Sequence, residues 1–292
     1  MDRRTALLAL GSFAVALMVA IRLVGLSFTP DRYLLVLLVP AIALGRARRY
    51  LLDFVPLAAL LFIYSESRGL AHILHPHPYY APQMALEKFV FLGHTPTVAL
   101  QHWLWTGHLR WYDHVFVQML RVHFIVPPAL GFVLWVKRRA LFYRFAATLI
   151  SLSFVSAVTF LAYPAAPPWA ASHALLIPNV TRLNEITVSS VPSGGHGSVS
   201  LSRFIISNPY AAIPSLHGGY AFLVFLFVAA LAWRSRWRWH VTALAALYPL
   251  VQSFAVVYTA NHYVVDIMIG FAYATALYFG VRALWRRLGL PE

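Results

Sequence analysis

The sequence predicts an all-α, polytopic membrane helical bundle of about eight transmembrane helices. Three observations lead there. Charged residues are 11% of the 292, against about 25% in an average soluble domain. Apolar residues are 60%, and they fall in runs close to the ~20 residues that cross a bilayer core. The basic residues gather in short clusters between those runs, as they do in cytoplasmic loops.

In chain order the runs lie near 5–24, 33–44, 50–74, 114–136, 143–163, 211–232, 241–260 and 263–284. The first also has the outline of a signal peptide. The run 33–44 is short and carries Pro40, so alone it reads equally as a span or a re-entrant piece. The basic clusters decide. They are Arg3/Arg4, Arg46/Arg48/Arg49, Lys137/Arg138/Arg139/Arg144, Arg234/Arg236/Arg238 and Arg282/Arg286/Arg287. All fall on one side only if 33–44 crosses the membrane, which puts both termini in the cytoplasm. The opposite, extracytoplasmic face then receives 75–113 and 164–210. The first mixes aromatics, His and Pro and reads as an amphipathic segment at headgroup level; the second is a loop by composition.

The net charge of +14 does not point to nucleic acid, because it is dispersed over the loops. The chain has no cysteine, which excludes disulfides, thiolate metal sites and cysteine nucleophiles. It has no P-loop and no dinucleotide fingerprint.

Two stretches carry chemistry: "AAIPSLHGGY" (211–220) and "YTANHYVVDIMIG" (258–270). His217 and His262 each open an apolar run on the outer face, so they can meet. Asp266 follows His262 by four residues, one helical turn away on the same face. A carboxylate just inside a span is costly and marks a functional site or a buried pair. Held against one imidazole nitrogen, it fixes the tautomer and frees the other nitrogen as nucleophile or base. The second histidine can then give or take a proton. Two histidines and a carboxylate suit phosphoryl transfer with no metal or cofactor. The plainer alternative is a structural His–Asp pair. A zinc site from His217, His262 and Asp266 has suitable ligand types but not a metal-helix spacing. Asp113, His114 and His123 enter or line the fourth span. His123, about ten residues in and so roughly 15 Å along the axis, is either a functional group or a core histidine bonded to a helix carbonyl.

"PSLHGGY" followed by "NHYVVD" resembles the second and third signature motifs of the type-2 phosphatidic acid phosphatase superfamily. The narrower resemblance is to the branch containing inositol phosphorylceramide synthase. It is carried by "YPAAPPW" (163–169) and the H-Y-x-x-D form of the last motif, and upstream by "SRGLA" (67–71), "PTVALQ" (96–101), "WYDHV" (111–115) and "VHFIVPP" (122–128). The resemblance implies a six-span core, with residues 1–49 as additional N-terminal membrane helices ahead of a catalytic membrane domain, 50–292. It also implies His262 as nucleophile, Asp266 as its orienting carboxylate and His217 as general acid. Tyr263, Asp113 and His123 become candidate substrate-binding residues.

The chain departs from the superfamily where phosphate is held. The Lys and Arg-Pro of the first motif have no counterpart in "YPAAPPW", and Val256 stands where the third motif carries Arg. Other cations must neutralise the phosphoryl oxygens. Among Arg68, Lys88, Arg110, Arg121, Arg182 and Arg203, the favoured pair is Arg68 and Arg182. Their plain alternatives are an ion pair with Glu66 and a solvated loop charge.

The resulting expectation is a membrane phosphotransferase. It would move a phospho-headgroup, inositol phosphate-like, from a phospholipid donor to a lipid-alcohol acceptor at the outer face of a bacterial inner membrane. A polyprenyl- or diacylglycerol-phosphate phosphatase and a proton-coupled transporter are the alternatives. Geometrically, His217 and His262 should lie roughly 4–8 Å apart, with Asp266 hydrogen-bonded to His262.

Overall fold

Apolar runs become helices here because a bilayer offers no partner for a backbone N–H or C=O. The computed structural model describes residues 11–15, 19, 30–74, 77–189 and 210–291. Its helices, numbered in chain order, are α1 (Pro30–Ala43), α2 (Ala47–Leu74), α3 (Ala81–Val90), α4 (Pro96–Leu104), α5 (Trp111–Val122) and α6 (Val126–Lys137). They continue as α7 (Arg139–Ala162), α8 (Pro168–His173), α9 (Leu183–Ser189), α10 (Leu216–Ala232), α11 (Arg238–Tyr258) and α12 (Val264–Arg287). Most of α2, together with α7, α11 and α12, is long and apolar enough to cross a membrane. The pair α5 and α6 passes as one span bent by 47°, and α1 and α10 are shorter apolar helices. These coincide with the runs expected from residue 33 onward. The run 5–24 lies largely outside the described residues, as do residues 190–209 of segment 164–210, Arg203 among them.

One expected element needs correcting. The run 114–136 is not an uninterrupted helix. Pro127 and Pro128 open α6, and a proline neither donates a backbone hydrogen bond nor tolerates the carbonyl four residues earlier. The helix therefore breaks at 123–125, and His123 sits at the bend instead of inside a straight span.

The basic loops share one end of the bundle. Arg46 donates to the Val136 carbonyl (3.3 Å). Asp53 on α2 accepts from Trp135 (2.7 Å) on α6 and from Arg139 (2.8 Å) and Tyr143 (2.8 Å) on α7. Beside this network Tyr50, Phe54, Phe132, Trp135 and Phe142 form a buried aromatic core.

At the other end α10 and α12 begin side by side. Their backbones approach so closely that a Cβ on Gly270 would stand 2.4 Å from the Ser215 carbonyl oxygen. A Cβ on Gly218 would meet side chains and no backbone, Ile267 at 2.8 Å and Phe271 at 3.3 Å. Gly270→Ala must therefore separate two backbones, while Gly218→Ala displaces the side chains of Ile267 and Phe271. Overpacking costs about 1–3 kcal/mol. Gly270→Ala is expected to lower the thermal midpoint in detergent micelles clearly more than Gly218→Ala, and equal midpoints would contradict the contact.

The short helices α3 and α4 lie at this same end. They are amphipathic, as expected of 75–113, with the polar stripe turned inward. Gln83 and Glu87 on α3 and Thr97 and Gln101 on α4 are buried, whereas Phe89, Leu92 and Trp103 are more than three-quarters exposed. The i, i+4 spacing of each buried pair puts both members on one face.

Candidate active site

His262 follows the turn that ends α11. Ala260 in that turn is fully buried and left-handed (φ +63°), a conformation costing a non-glycine residue about 1–2 kcal/mol. The strained turn delivers Asn261 and His262 to the start of α12. There Asp266 accepts a hydrogen bond from the Tyr263 N–H (2.8 Å), closing the first turn of the helix as an N-terminal carboxylate does.

The His262 ring is buried, and its two nitrogens have different partners. Nδ1 is 3.1 Å from the Ala212 carbonyl oxygen. A carbonyl can only accept, so Nδ1 carries the hydrogen and Nε2 keeps its lone pair. Nε2 is 3.1 Å from Nδ1 of His217, which donates to it. Asp266 Oδ2 stands 3.5 Å from His262 Nδ1. That is longer than a normal hydrogen bond, and the carbonyl of Ala212 is the nearer acceptor. The separation of the histidines agrees with expectation, their ring centroids being 5.2 Å apart.

His217 opens α10, whose first turn is capped by the Ser215 hydroxyl, accepting from Gly218 N–H (3.4 Å). The Ser215 N–H donates to the Asp266 carbonyl (2.9 Å), which fixes the two helix starts together. His217 is half-buried, and its ring also touches His123 (centroids 4.1 Å). His123 gives its Nδ1 hydrogen to the Leu120 carbonyl (2.7 Å). The result is three imidazoles in a row. Among the described residues no three His, Cys, Asp or Glu side chains are grouped to hold a metal ion.

Of the favoured cations, one stands by this row and the other beside Asn261. Arg68 lies within electrostatic reach of His123 and His217. Glu66, two positions away on the same helix, projects to a different side. Arg182 lies over the Trp169 ring (4.4 Å), pairs with Glu185 (2.5 Å), and approaches Asn261, the neighbour of His262 (3.4 Å). Trp169 is thus half-buried under an arginine. Lys88, Arg110 and Arg121 stand elsewhere; Arg110 bonds Thr106 and Arg121 bonds Gln118.

Asp113 and Tyr263 are enclosed. The Asp113 carboxylate accepts from the Arg110 N–H and the Tyr258 hydroxyl, which joins α5 to α11. Tyr263 is fully buried. "YPAAPPW" builds a wall: Ala165 bridges Tyr79 on one side and Ala211 on the other, and so supports Ala212 behind His262.

Three buried side chains from the outer segment complete the frame, and sequence reasoning did not single them out. Gln83 donates to the Ala166 carbonyl (3.2 Å) and accepts from Tyr163 (2.8 Å). Gln101 bonds both backbone groups of Thr181 and the Tyr258 carbonyl (2.8 Å). Glu87 bonds the first turn of α12, through the N–H groups of Val264 (3.2 Å) and Val265 (3.0 Å). The available signal was the i, i+4 spacing of Gln83 and Glu87, and of Thr97 and Gln101.

Residues 84–279 match the family model of the PAP2 superfamily. The chain is also similar to the phosphoinositol dihydroceramide synthase of Bacteroides thetaiotaomicron, with 26% identity over 159 residues, 51% of this chain and 48% of that protein. The match thus spans about half of that relative's length. No solved structure matches the chain significantly. The family match takes in more than half of the sequence and includes both helix starts that meet at the histidines: the chain belongs to the PAP2 superfamily.

Proposed function

We propose that this chain is a membrane phosphotransferase that carries a phospho-headgroup from a phospholipid to a lipid alcohol through a phosphohistidine at His262. The observation that carries the reading is the His262 ring itself. Its Nδ1 hydrogen is committed to the Ala212 carbonyl and its Nε2 lone pair faces the Nδ1–H of His217.

In the first step Nε2 attacks phosphorus, and the bond from phosphorus to the diacylglycerol oxygen breaks. The departing oxygen takes the proton from His217 Nδ1. In the second step the acceptor hydroxyl returns a proton to that nitrogen, its oxygen attacks phosphorus, and the bond to Nε2 breaks. Asp266 stabilises the positive charge that His262 gains during attack. The 3.1 Å contact between the histidines leaves no room for a phosphoryl group, so substrate entry must part the two rings. Arg68 and Arg182 supply the positive charge that the missing first-motif cations would bring, and the amino end of α10 adds its dipole.

The phosphoinositol headgroup and a ceramide-type acceptor follow from the name of the B. thetaiotaomicron relative. A diester monoanion also suits a site with few cations better than a monoester dianion does. The basic loops at the opposite end of the bundle support an extracytoplasmic site. The transporter alternative has no observation to set beside the family match.

The test uses purified protein in mixed micelles, with headgroup-labelled phosphatidylinositol and a ceramide. Label in a new lipid is the expected result, with Arg68→Gln reducing kcat/KM on the order of 10²-fold. Label only in water-soluble phosphate would make the protein a hydrolase. No release into either product would remove the reading.

A further inference from the structure

Glu87 has no assigned part in the chemistry, yet it is among the most enclosed charged groups described. It is fully buried and sits on α3, some 175 residues before the helix it touches. Its two oxygens take the N–H groups of Val264 and Val265 separately. These are the first two helical residues of α12, and an amino-terminal turn has no carbonyl partners of its own for such groups. The residue in the capping position is Tyr263, whose side chain makes no capping bond. Glu87 supplies the cap from another element.

The consequence for the histidine is geometric. His262 lies two residues before Val264 and is joined to α12 through Tyr263, whose N–H is held by Asp266. On the far side its Nδ1 is held by Ala212. If the first turn of α12 frays, Asp266 and Tyr263 move with it, and the ring loses its aim toward His217. We propose that Glu87 is a positioning residue for His262: its carboxylate clamps the start of α12 and so fixes the direction of Nε2. This rests on the reading of His262 as the nucleophile.

The ionisable groups that bear on Glu87 are Asp266 and Tyr263, both at the start of α12. Lys88, its neighbour on α3, is exposed. Burial pushes the Glu87 carboxyl up to about 7; the bonds from Val265 and Val264 oppose the shift and the nearby Asp266 charge adds to it. The carboxylate accepts both N–H groups well, and protonation converts one acceptor oxygen into a hydroxyl. The two N–H bonds favour the carboxylate over the acid, so an opening of the first turn that leaves Glu87 buried becomes easier, and the clamp weaker, as pH falls through about 7.

The test is Glu87→Gln, which keeps size but offers one acceptor and turns an NH2 group toward the other N–H. A misplacement of about 1 Å at a reacting atom costs on the order of 10²-fold. The expected result is a kcat lower by that factor, with KM unchanged because Glu87 does not touch substrate. The fall in wild-type kcat as pH drops through about 7 should flatten in the variant. A Glu87→Gln protein with wild-type kcat and pH profile would overturn the proposal. Hydrogen exchange of the wild-type peptide covering 262–268 covers the case in which the variant does not fold. Protection corrected for intrinsic exchange should be weaker at pH 6 than at pH 8, and equal protection would also overturn it. If wild-type protein neither transfers nor hydrolyses any headgroup, the functional reading fails while the exchange measurement still judges the clamp.

Discussion

Replacing His262 with alanine is expected to abolish headgroup transfer and headgroup hydrolysis together, lowering kcat by at least ~10⁴-fold. Both outcomes share the step in which Nε2 takes phosphorus, and among the described residues neither of the neighbouring imidazoles has an equivalent setting. His217 offers its Nδ1 hydrogen, and His123 is turned to the carbonyl of its own helix. The direct readout is the covalent intermediate. Protein quenched in base after exposure to phosphorus-labelled donor should retain label on His262, and the alanine variant should retain none. The variant keeps the Asp266 bond to Tyr263 N–H, so the helix start survives, and a thermal midpoint measured alongside separates loss of chemistry from loss of fold. Labelled lipid product formed by His262→Ala at the wild-type rate would remove His262 from the mechanism.

His217→Ala is expected to cost about 10²–10⁴-fold with natural phospholipids, with a dependence on leaving group that His262→Ala cannot show. A diacylglycerol alkoxide needs a proton as it departs, whereas a nitrophenolate does not. With a nitrophenyl phosphodiester bearing the same headgroup, the variant should give a burst of nitrophenol close to wild type. Turnover then stalls, because the acceptor alcohol has lost its base. Equal losses on both donors would mean that His217 orders the site without transferring a proton. A lack of burst with full steady-state turnover would place proton transfer elsewhere, with His123 next in the row.

Much of this was legible from local patterns. The apolar runs matched the described helices from residue 33 onward because span length is a local property of the chain. The meeting of His217 and His262 was legible because both open runs on the same side. The choice of Arg68 and Arg182 rested on the resemblance, whose first-motif cations this chain lacks, and on the loop assignments. What misled was also local. The run 114–136 looks continuous by hydropathy, and only the paired prolines betray the break at His123. Asp113 looked like a substrate contact and is bound up between Arg110 and Tyr258. Glu87 lies in the segment read as amphipathic at headgroup level, and an amphipathic pattern does not say which face meets the protein.

By itself, then, the sequence determined the class of molecule, the helix list, and a histidine pair with a carboxylate one turn away. Each depends on spacing within a few residues or on composition over about twenty. Only the tertiary structure decided which nitrogen of His262 is free, what fixes its ring, and what caps its helix. The Ala212 carbonyl is a backbone group that any residue could supply, so it leaves no mark in the sequence. The bonds from Glu87 to Val264 and Val265 also end on backbone, across more than 170 residues. Such contacts are specified by where helices pack, and packing is a property of the whole chain.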